Sequence, residues 1–145
     1  MSHREATTAD IDRLMELEGL CFGPEAWTRE MLEEELAGAG RRYLVSQEAG
    51  VVMGYGGVYL GLDSTEVMTV AIDPGYQRRG LGRRLMEALL AESRRAGSRW
   101  VTLEVAVGAE PAIGLYRSLG FEPIGRRQGY YQPSGRDAII MRLET

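Results

Sequence analysis

The sequence predicts a mixed α/β domain built on one sheet of about seven strands, and three observations lead there. Segments whose apolar residues alternate are interleaved with segments whose apolar residues recur three and four apart, so strands and helices share one chain. A strand, a glycine-rich turn, a helix and a second strand follow one another between residues 65 and 105, an order that makes the two strands parallel and their connection right-handed. The 145 residues make one domain, 1–145, long enough for a core of its own.

The elements follow in order. A short strand near His3 to Thr7 leads to Thr8 or Asp10 as a helix cap, after which Ile11, Leu14, Met15 and Leu17 recur at helical spacing. Trp27-Thr28 begins a second helix carrying Met31, Leu32 and Leu36, stopped by Gly38 and Gly40. Tyr43 to Gln47, Val51 to Leu60 and Thr65 to Ile72 are consecutive strands with turn signals at Ala49-Gly50 and Gly61-Leu62-Asp63, so a meander is the natural pairing. Asp73-Pro74-Gly75 ends the third of these. Leu81, Leu85 and Leu89, with Met86 and Leu90, make one apolar stripe of a helix to about Ala96. Trp100 to Val105 is the next strand; Pro111 suits the first turn of a helix holding Ala112, Leu115, Tyr116 and Leu119, closed by Gly120. Phe121 to Gly125 and Ala138 to Leu143 finish the chain as two strands around a loop.

Composition narrows the function classes. Hydrophobic residues at 44% and charged residues at 26% fit a soluble globular protein. No apolar run approaches the roughly 20 residues of a membrane helix, and Met1-Ser2-His3-Arg4-Glu5 lacks a signal-peptide core, so a cytoplasmic location is expected. A single histidine, His3, and a single cysteine, Cys21, argue against a zinc site or a Ser-His-Asp triad and exclude an internal disulfide. No metal is expected, and Cys21 suits a buried small hydrophobe. Residues 1–40 carry ten acids against three arginines, a net of −7; residues 76–100 carry seven arginines against two acids, a net of +5. That division suits a cationic partner and an anionic ligand on one molecule, or simply two solvated helix faces.

The chemistry is densest at Gln77-Arg78-Arg79-Gly80-Leu81-Gly82, between a strand and a helix. Gly80 and Gly82 have no side chain to block approach, so the amides of residues 78–83 can face an anion at the start of a helix whose dipole favours one. Arg78, Arg79, Arg83 and Arg84 supply charge around the oxygens without reading a base or a sugar. The segment suits phosphate; a tight turn with solvated arginines is the plainer alternative. A Walker A loop needs a Gly-Lys pair and this chain has no lysine, while a dinucleotide fingerprint wants a third glycine where Leu85 stands.

This hexapeptide resembles the pyrophosphate-binding signature of the GNAT superfamily of N-acetyltransferases. Val67-Met68-Thr69-Val70-Ala71-Ile72-Asp73-Pro74 before it, Leu103-Glu104-Val105 after it and Ala112-Ile113-Gly114-Leu115-Tyr116-Arg117-Ser118-Leu119-Gly120-Phe121 follow in that family's order and spacing. The tail Gly129-Tyr130-Tyr131-Gln132-Pro133-Ser134-Gly135-Arg136-Asp137-Ala138-Ile139-Ile140-Met141 resembles the RimI-like branch, which acetylates the N-terminal alanine of ribosomal protein S18. The resemblance covers Val67 to Met141; the first 60 residues match only loosely. It implies the GNAT fold, with helices on both faces of the sheet and two central parallel strands that splay apart. It also implies acetyl-CoA as co-substrate and the N-terminal α-amine of a protein, such as ribosomal protein S18, as acceptor, with no nucleic acid or membrane involved.

On the matching positions, Val70, Ala71 and Ile72 would offer backbone to the pantetheine arm, and Arg78, Arg79, Gly80, Leu81, Gly82 and Arg83 would hold the pyrophosphate. Glu104 stands at the position assigned as general base and Tyr116 at that assigned as general acid. The residues agree with those roles. Val101, Leu103 and Val105 share one face of their strand, so Glu104 emerges on the other, an odd acid in an apolar run. An α-amine, with a pKa of about 7.7–8.0, must lose a proton before it attacks, and a carboxylate can take it; a phenol of pKa about 10 can protonate a departing thiolate. A solvated strand acid and a core aromatic are the plainer readings of the two. Relatives commonly have Asn where this chain has Ala109, which removes one cofactor contact.

For the acceptor, the loop Phe22-Gly23-Pro24-Glu25-Ala26-Trp27 and the hairpin Gly129-Tyr130-Tyr131 resemble elements that hold a peptide's first residues, with Tyr130, Tyr131, Glu25 and Trp27 as candidates. Trp27 equally suits a hydrophobic staple ahead of its helix. Direct transfer is expected, because Cys21 lies far in sequence from the cofactor strand. A small-molecule amine acetyltransferase, acting on a polyamine or antibiotic, or a non-catalytic CoA-binding module remain alternatives.

Overall fold

The computed structural model describes residues 1–77 and 79–145. Its strands are β1 (Ser2–Glu5), β2 (Arg41–Glu48), β3 (Val51–Leu60), β4 (Ser64–Ile72), β5 (Trp100–Ala106), β6 (Glu122–Arg127) and β7 (Ala138–Glu144). They form one seven-stranded sheet in the order β1-β2-β3-β4-β5-β7-β6, with β4/β5 its parallel pair. The helices are α1 (Ile11–Phe22), α2 (Arg29–Ala37), α3 (Leu81–Arg95) and α4 (Glu110–Ser118). The α/β class, the seven strands and the β2-β3-β4 meander agree with the sequence expectation. Three short 3-10 turns, Thr8–Asp10, Gly23–Glu25 and Pro74–Tyr76, carry no periodic signal and were not expected.

Alternation along the strands sends side chains into two cores. Tyr43, Val45 and Tyr55 pack with Leu14, Leu17 and Leu32 under α1 and α2. Leu44, Leu103 and Met141 pack with Leu85, Leu89 and Ile113 under α3 and α4, so helices do cover both faces. The predicted stripe of α3 is its buried face: Leu85, Met86 and Leu89 are fully enclosed, each such burial contributing roughly 1.5–3 kcal/mol. α2 starts where Thr28 caps it, its hydroxyl accepting the Met31 N–H at 3.2 Å, which leaves Trp27 just outside the helix.

The sheet comes apart at its centre. Parallel pairing of β4 with β5 covers Ser64 to Glu66 against Trp100 to Thr102, although β4 runs on to Ile72 and β5 to Ala106. Along its whole length β5 pairs instead with β7, from Trp100/Glu144 to Ala106/Ala138. The result is a slot between β4 and β5. A bulge sits at its start: Gly57 faces Thr69 and Val58 faces Val67, so Met68 is an extra residue in β4. Past the bulge the alternation is reversed. Val67 joins the α3 core while Met68 packs on the α1/α2 side, and Glu66 lines a cavity on that side with Met68.

Candidate active site

The backbone of β4 divides its hydrogen bonds between the sheet and the slot. Asp73 N–H donates to Met53 O at 2.8 Å, and antiparallel pairs alternate between bonded and non-bonded, so Ala71 spends its amide and carbonyl on Tyr55. Val70 and Ile72 therefore turn theirs toward the slot. The Ile72 carbonyl confirms the direction by accepting from the Cys21 thiol at 3.1 Å. Of the three positions expected to face pantetheine, two present backbone there, and Ala71 is buried in the α1/α2 core. Cys21, remote in sequence, is adjacent in space: it is half-buried, lines the cavity beside β4, and its burial pushes the thiol pKa up.

The glycine-rich turn is braced from behind. The Asp73 carboxylate accepts the Gly75 N–H at 2.8 Å and pairs with Arg13 at 2.7 Å, and Arg13 also donates to Val52 O. Gly80 caps α3 with φ +73°, a left-handed conformation that suits glycine. At Gly82 a Cβ would lie 3.3 Å from Leu115 Cδ2, so this glycine also lets α3 approach α4. Leu81 is buried and can offer only its backbone to a ligand. Arg79 pairs with Glu48 at 2.9 Å and covers the Tyr76 ring at 5.7 Å, while Arg83 donates to Ser118 Oγ at 2.9 Å. Arg78 lies outside the described residues.

Two cavities meet at the slot. One, of about 480 Å³, is lined by Thr69, Val70, Val105, Ala109 and Tyr116; the other, of about 550 Å³, by Met31, Glu34, Glu35, Glu66 and Tyr130. Glu25, Trp27, Met68, Glu104 and Tyr131 line both. Glu104 thus stands at the junction, on the strand face opposite Val101, Leu103 and Val105. Its Oε1 is 3.4 Å from Arg127 Nε, and its Oε2 is buried with no hydrogen-bond partner among the described residues. A buried acceptor left open in this way is available to a donor brought by a substrate. Burial, then the nearby Glu104, raises the Glu66 carboxyl above its ordinary range.

Tyr116 reaches the first cavity from α4, with its ring edge-on to Phe121 at 6.0 Å. Burial, then the neighbouring Tyr131, pushes its phenol up to about 12, so it remains protonated at any physiological pH. The hairpin tyrosines meet edge to face at 5.0 Å; burial, then Glu104, brings each to about 12. Glu25 ties the loop after α1 to that hairpin, accepting from Ser134 Oγ and pairing with Arg136 at 2.9 Å. These two partners hold its carboxyl below the usual range. Trp27, expected as candidate or staple, walls both cavities and packs edge-on against Tyr43 at 6.4 Å. Glu104, Tyr116, Glu25, Trp27, Tyr130 and Tyr131 are therefore brought together. Glu18, Glu34, Glu66 and Arg127 were missed; the acidic run of residues 1–40 was the available signal for the first two. Among the described residues no group of His, Cys, Asp or Glu could hold a metal ion, and no helix is long and apolar enough to cross a membrane.

Comparison with known proteins adds five findings. The model of the acetyltransferase (GNAT) family matches residues 11–121. A relative named N-alpha-acetyltransferase RimI, from Mycobacterium tuberculosis, is 40% identical over 144 residues, covering 96% of this chain and 89% of that protein. An uncharacterized protein of Mycobacterium leprae is 44% identical over 144 residues; there the chain spans only 39% of the relative's length. Among solved structures, the ribosomal-protein-S18-alanine N-acetyltransferase of Escherichia coli superposes with a TM-score of 0.90 at 30% identity, covering 99% of this chain and 92% of that one. The Salmonella typhimurium protein yncA with its cofactor acetyl-CoA superposes at 0.80 and 26% identity, covering 99% and 93%.

Proposed function

Because this chain belongs to the acetyltransferase (GNAT) family, we propose that it transfers acetyl from acetyl-CoA to the N-terminal α-amine of a protein, with the alanine of ribosomal protein S18 as the leading acceptor. The observation that carries this reading is the position of Glu104, the candidate base, on the wall shared by the two cavities that meet at the β4/β5 slot. Two substrates can meet there. Val70 and Ile72 would pair with the pantetheine amides, and the amides from residue 79 into α3 would hold the pyrophosphate. In the reaction the amine nitrogen attacks the thioester carbonyl carbon, forming C–N as C–S breaks. Glu104 takes one proton from the ammonium before attack, Tyr116 gives its proton to the departing sulfur, and the second proton that the nitrogen sheds on becoming an amide restores the Tyr116 phenol.

The acceptor assignment is supported by the second cavity. Tyr130 and Tyr131 close one side and the Glu25–Arg136 tie joins that side to the loop carrying Trp27, so the entrance suits a chain end threaded between two loops. A polyamine is the second reading, favoured by Glu34, Glu35 and Glu66 in the same lining, which would attract any cationic amine. Incubating the protein with acetyl-CoA and a panel of amines, read by mass spectrometry, separates them. Acetylation at the α-amine of a peptide starting with Ala is expected; preferential acetylation of internal lysines or of spermidine would overturn the assignment.

A further inference from the structure

Glu18, in α1, is 1% exposed, and no ion pair involves it among the described residues. Its carboxyl group instead collects three donors from three separate segments. Trp27 N–H donates to Oε1 at 2.9 Å, while the Tyr55 and Thr69 hydroxyls donate to Oε2 at 2.7 and 3.0 Å. A polar group buried this deeply persists only where donors replace the water it has lost. Neither the proton transfer nor the cofactor contacts argued above use it.

The partners show what it joins. Thr69 is next to the bulge at Met68, where the slot opens; Trp27 walls both cavities; Tyr55 belongs to the neighbouring strand β3. A closed circuit results, since the Trp27 ring packs on Tyr43 at 6.4 Å, Tyr43 stacks on Tyr55 at 6.3 Å, and the Tyr55 hydroxyl returns to Glu18. Trp27 is thereby held by its ring and by its backbone, and both holds lead to the strand that lines the slot. No other side chain bonds both β4 at the bulge and the loop of Trp27 among the described residues.

We propose that Glu18 is a positioning residue for the acceptor: it holds the Trp27 wall in register with the bulge of β4, so that the amine is delivered at a fixed distance from the thioester. The proposal rests on the acceptor reading above. It makes Glu18 act through Trp27 and not on the reacting atoms, and a misplacement of about 1 Å is enough to cost up to about 10²-fold in rate.

The test uses the whole chain and a peptide starting with Ala. Glu18→Leu keeps the bulk and removes all three acceptors; the KM for the peptide should rise by about tenfold while that for acetyl-CoA moves by less than about twofold. Glu18→Gln should restore the peptide KM to within about threefold of wild type. Its amide can turn its oxygen to Trp27 N–H and donate to the two hydroxyl oxygens. In a double-mutant cycle, Glu18→Leu should add little to Trp27→Ala, because both remove the same wall. Fully additive losses, or a peptide KM unmoved by Glu18→Leu, would overturn the proposal. A second readout does not depend on the acceptor. The chain has two tryptophans, so in a Trp100→Phe background acrylamide quenching reports Trp27 alone and should rise about twofold in Glu18→Leu and return in Glu18→Gln. If wild type acetylates no peptide, the acceptor reading fails while quenching still decides the positioning. Should Glu18→Leu not fold, Tyr55→Phe, which removes one donor and keeps the ring, takes its place with an expected threefold rise, to the order of magnitude, in peptide KM. No change in KM or quenching there would equally overturn the role.

Discussion

Replacing Glu104 by Gln removes the proposed base while keeping its shape, and the surroundings make the outcome calculable. The side chain is 15% exposed, with Oε1 near Arg127 and Oε2 unpartnered among the described residues. A glutamine turned with its carbonyl oxygen toward Arg127 leaves packing untouched and puts an NH2 group where the proton acceptor stood. A positioned general base contributes about 10²–10⁴-fold, so kcat/KM at pH 7 should fall by at least about 10²-fold, or about 2.7 kcal/mol of barrier. An α-amine of pKa about 8 is roughly one-tenth neutral at pH 7 and nine-tenths neutral at pH 9. The variant, limited to the neutral amine, should regain about tenfold over that interval, whereas wild type should gain less. Tyr116, raised to about 12, stays protonated throughout and adds no inflection. Initial rates of thiol release with an Ala-starting peptide between pH 6 and 9.5 give both profiles. Parallel profiles, or a loss below about threefold at pH 7, would show that the proton leaves by another route.

Further consequences can be checked separately. Tyr116→Phe keeps the edge contact with Phe121 and should lower kcat by about tenfold with unchanged calorimetric affinity for acetyl-CoA; a matching loss of affinity would make the phenol a binding group. Gly80→Ala meets no atom within 4 Å but must hold φ +73°, so thermal unfolding should show a loss of about 1 kcal/mol, or a Tm lower by about 2–4 °C. An unchanged Tm would remove the conformational argument. Glu25 has a folded pKa lowered by Ser134 and Arg136; its tie is complete above the unfolded value of about 4.3 and weakens only as pH falls through the lowered one. The peptide KM should therefore be insensitive to Glu25 between pH 6 and 8, yet Arg136→Ala should raise it several-fold across that range; equal KM values would dissociate the tie from the acceptor. Cys21→Ala should keep turnover within about threefold, because a thiol with a raised pKa that donates to Ile72 O is a poor nucleophile. Trapping an acetyl group on Cys21 would replace direct transfer by a two-step route.

Much of the site was legible because its signals are local. Strand and helix periods need only a few neighbouring residues, so the element order and the buried stripe of α3 followed from spacing alone. The glycine-rich turn is one contiguous segment between a strand and a helix, and the anion site proposed there would use backbone groups that any such segment exposes. Glu104 could be found from parity: three apolar residues on one strand face leave the acid on the other.

What the sequence by itself determined about this protein is thus the order of its strands and helices, the resemblance to its family and the two positions proposed for proton transfer. Only the tertiary structure decided how they come together. The last strand inserts between β5 and β6, because β5 gives its edge to β7 and leaves β4 free to part from it. The bulge at Met68 reverses the faces of β4 and turns Glu66 into the cavity proposed for the acceptor, a register choice made against β3. Cys21 reaches Ile72 across 51 residues and Arg136 reaches Glu25 across 111; Glu18 holds Trp27, Tyr55 and Thr69 at once. A periodicity records which face of an element is apolar and carries no information on which distant element will cover it. That choice is made only when both cores close on the same sheet, since burying these polar groups requires all their partners to arrive together.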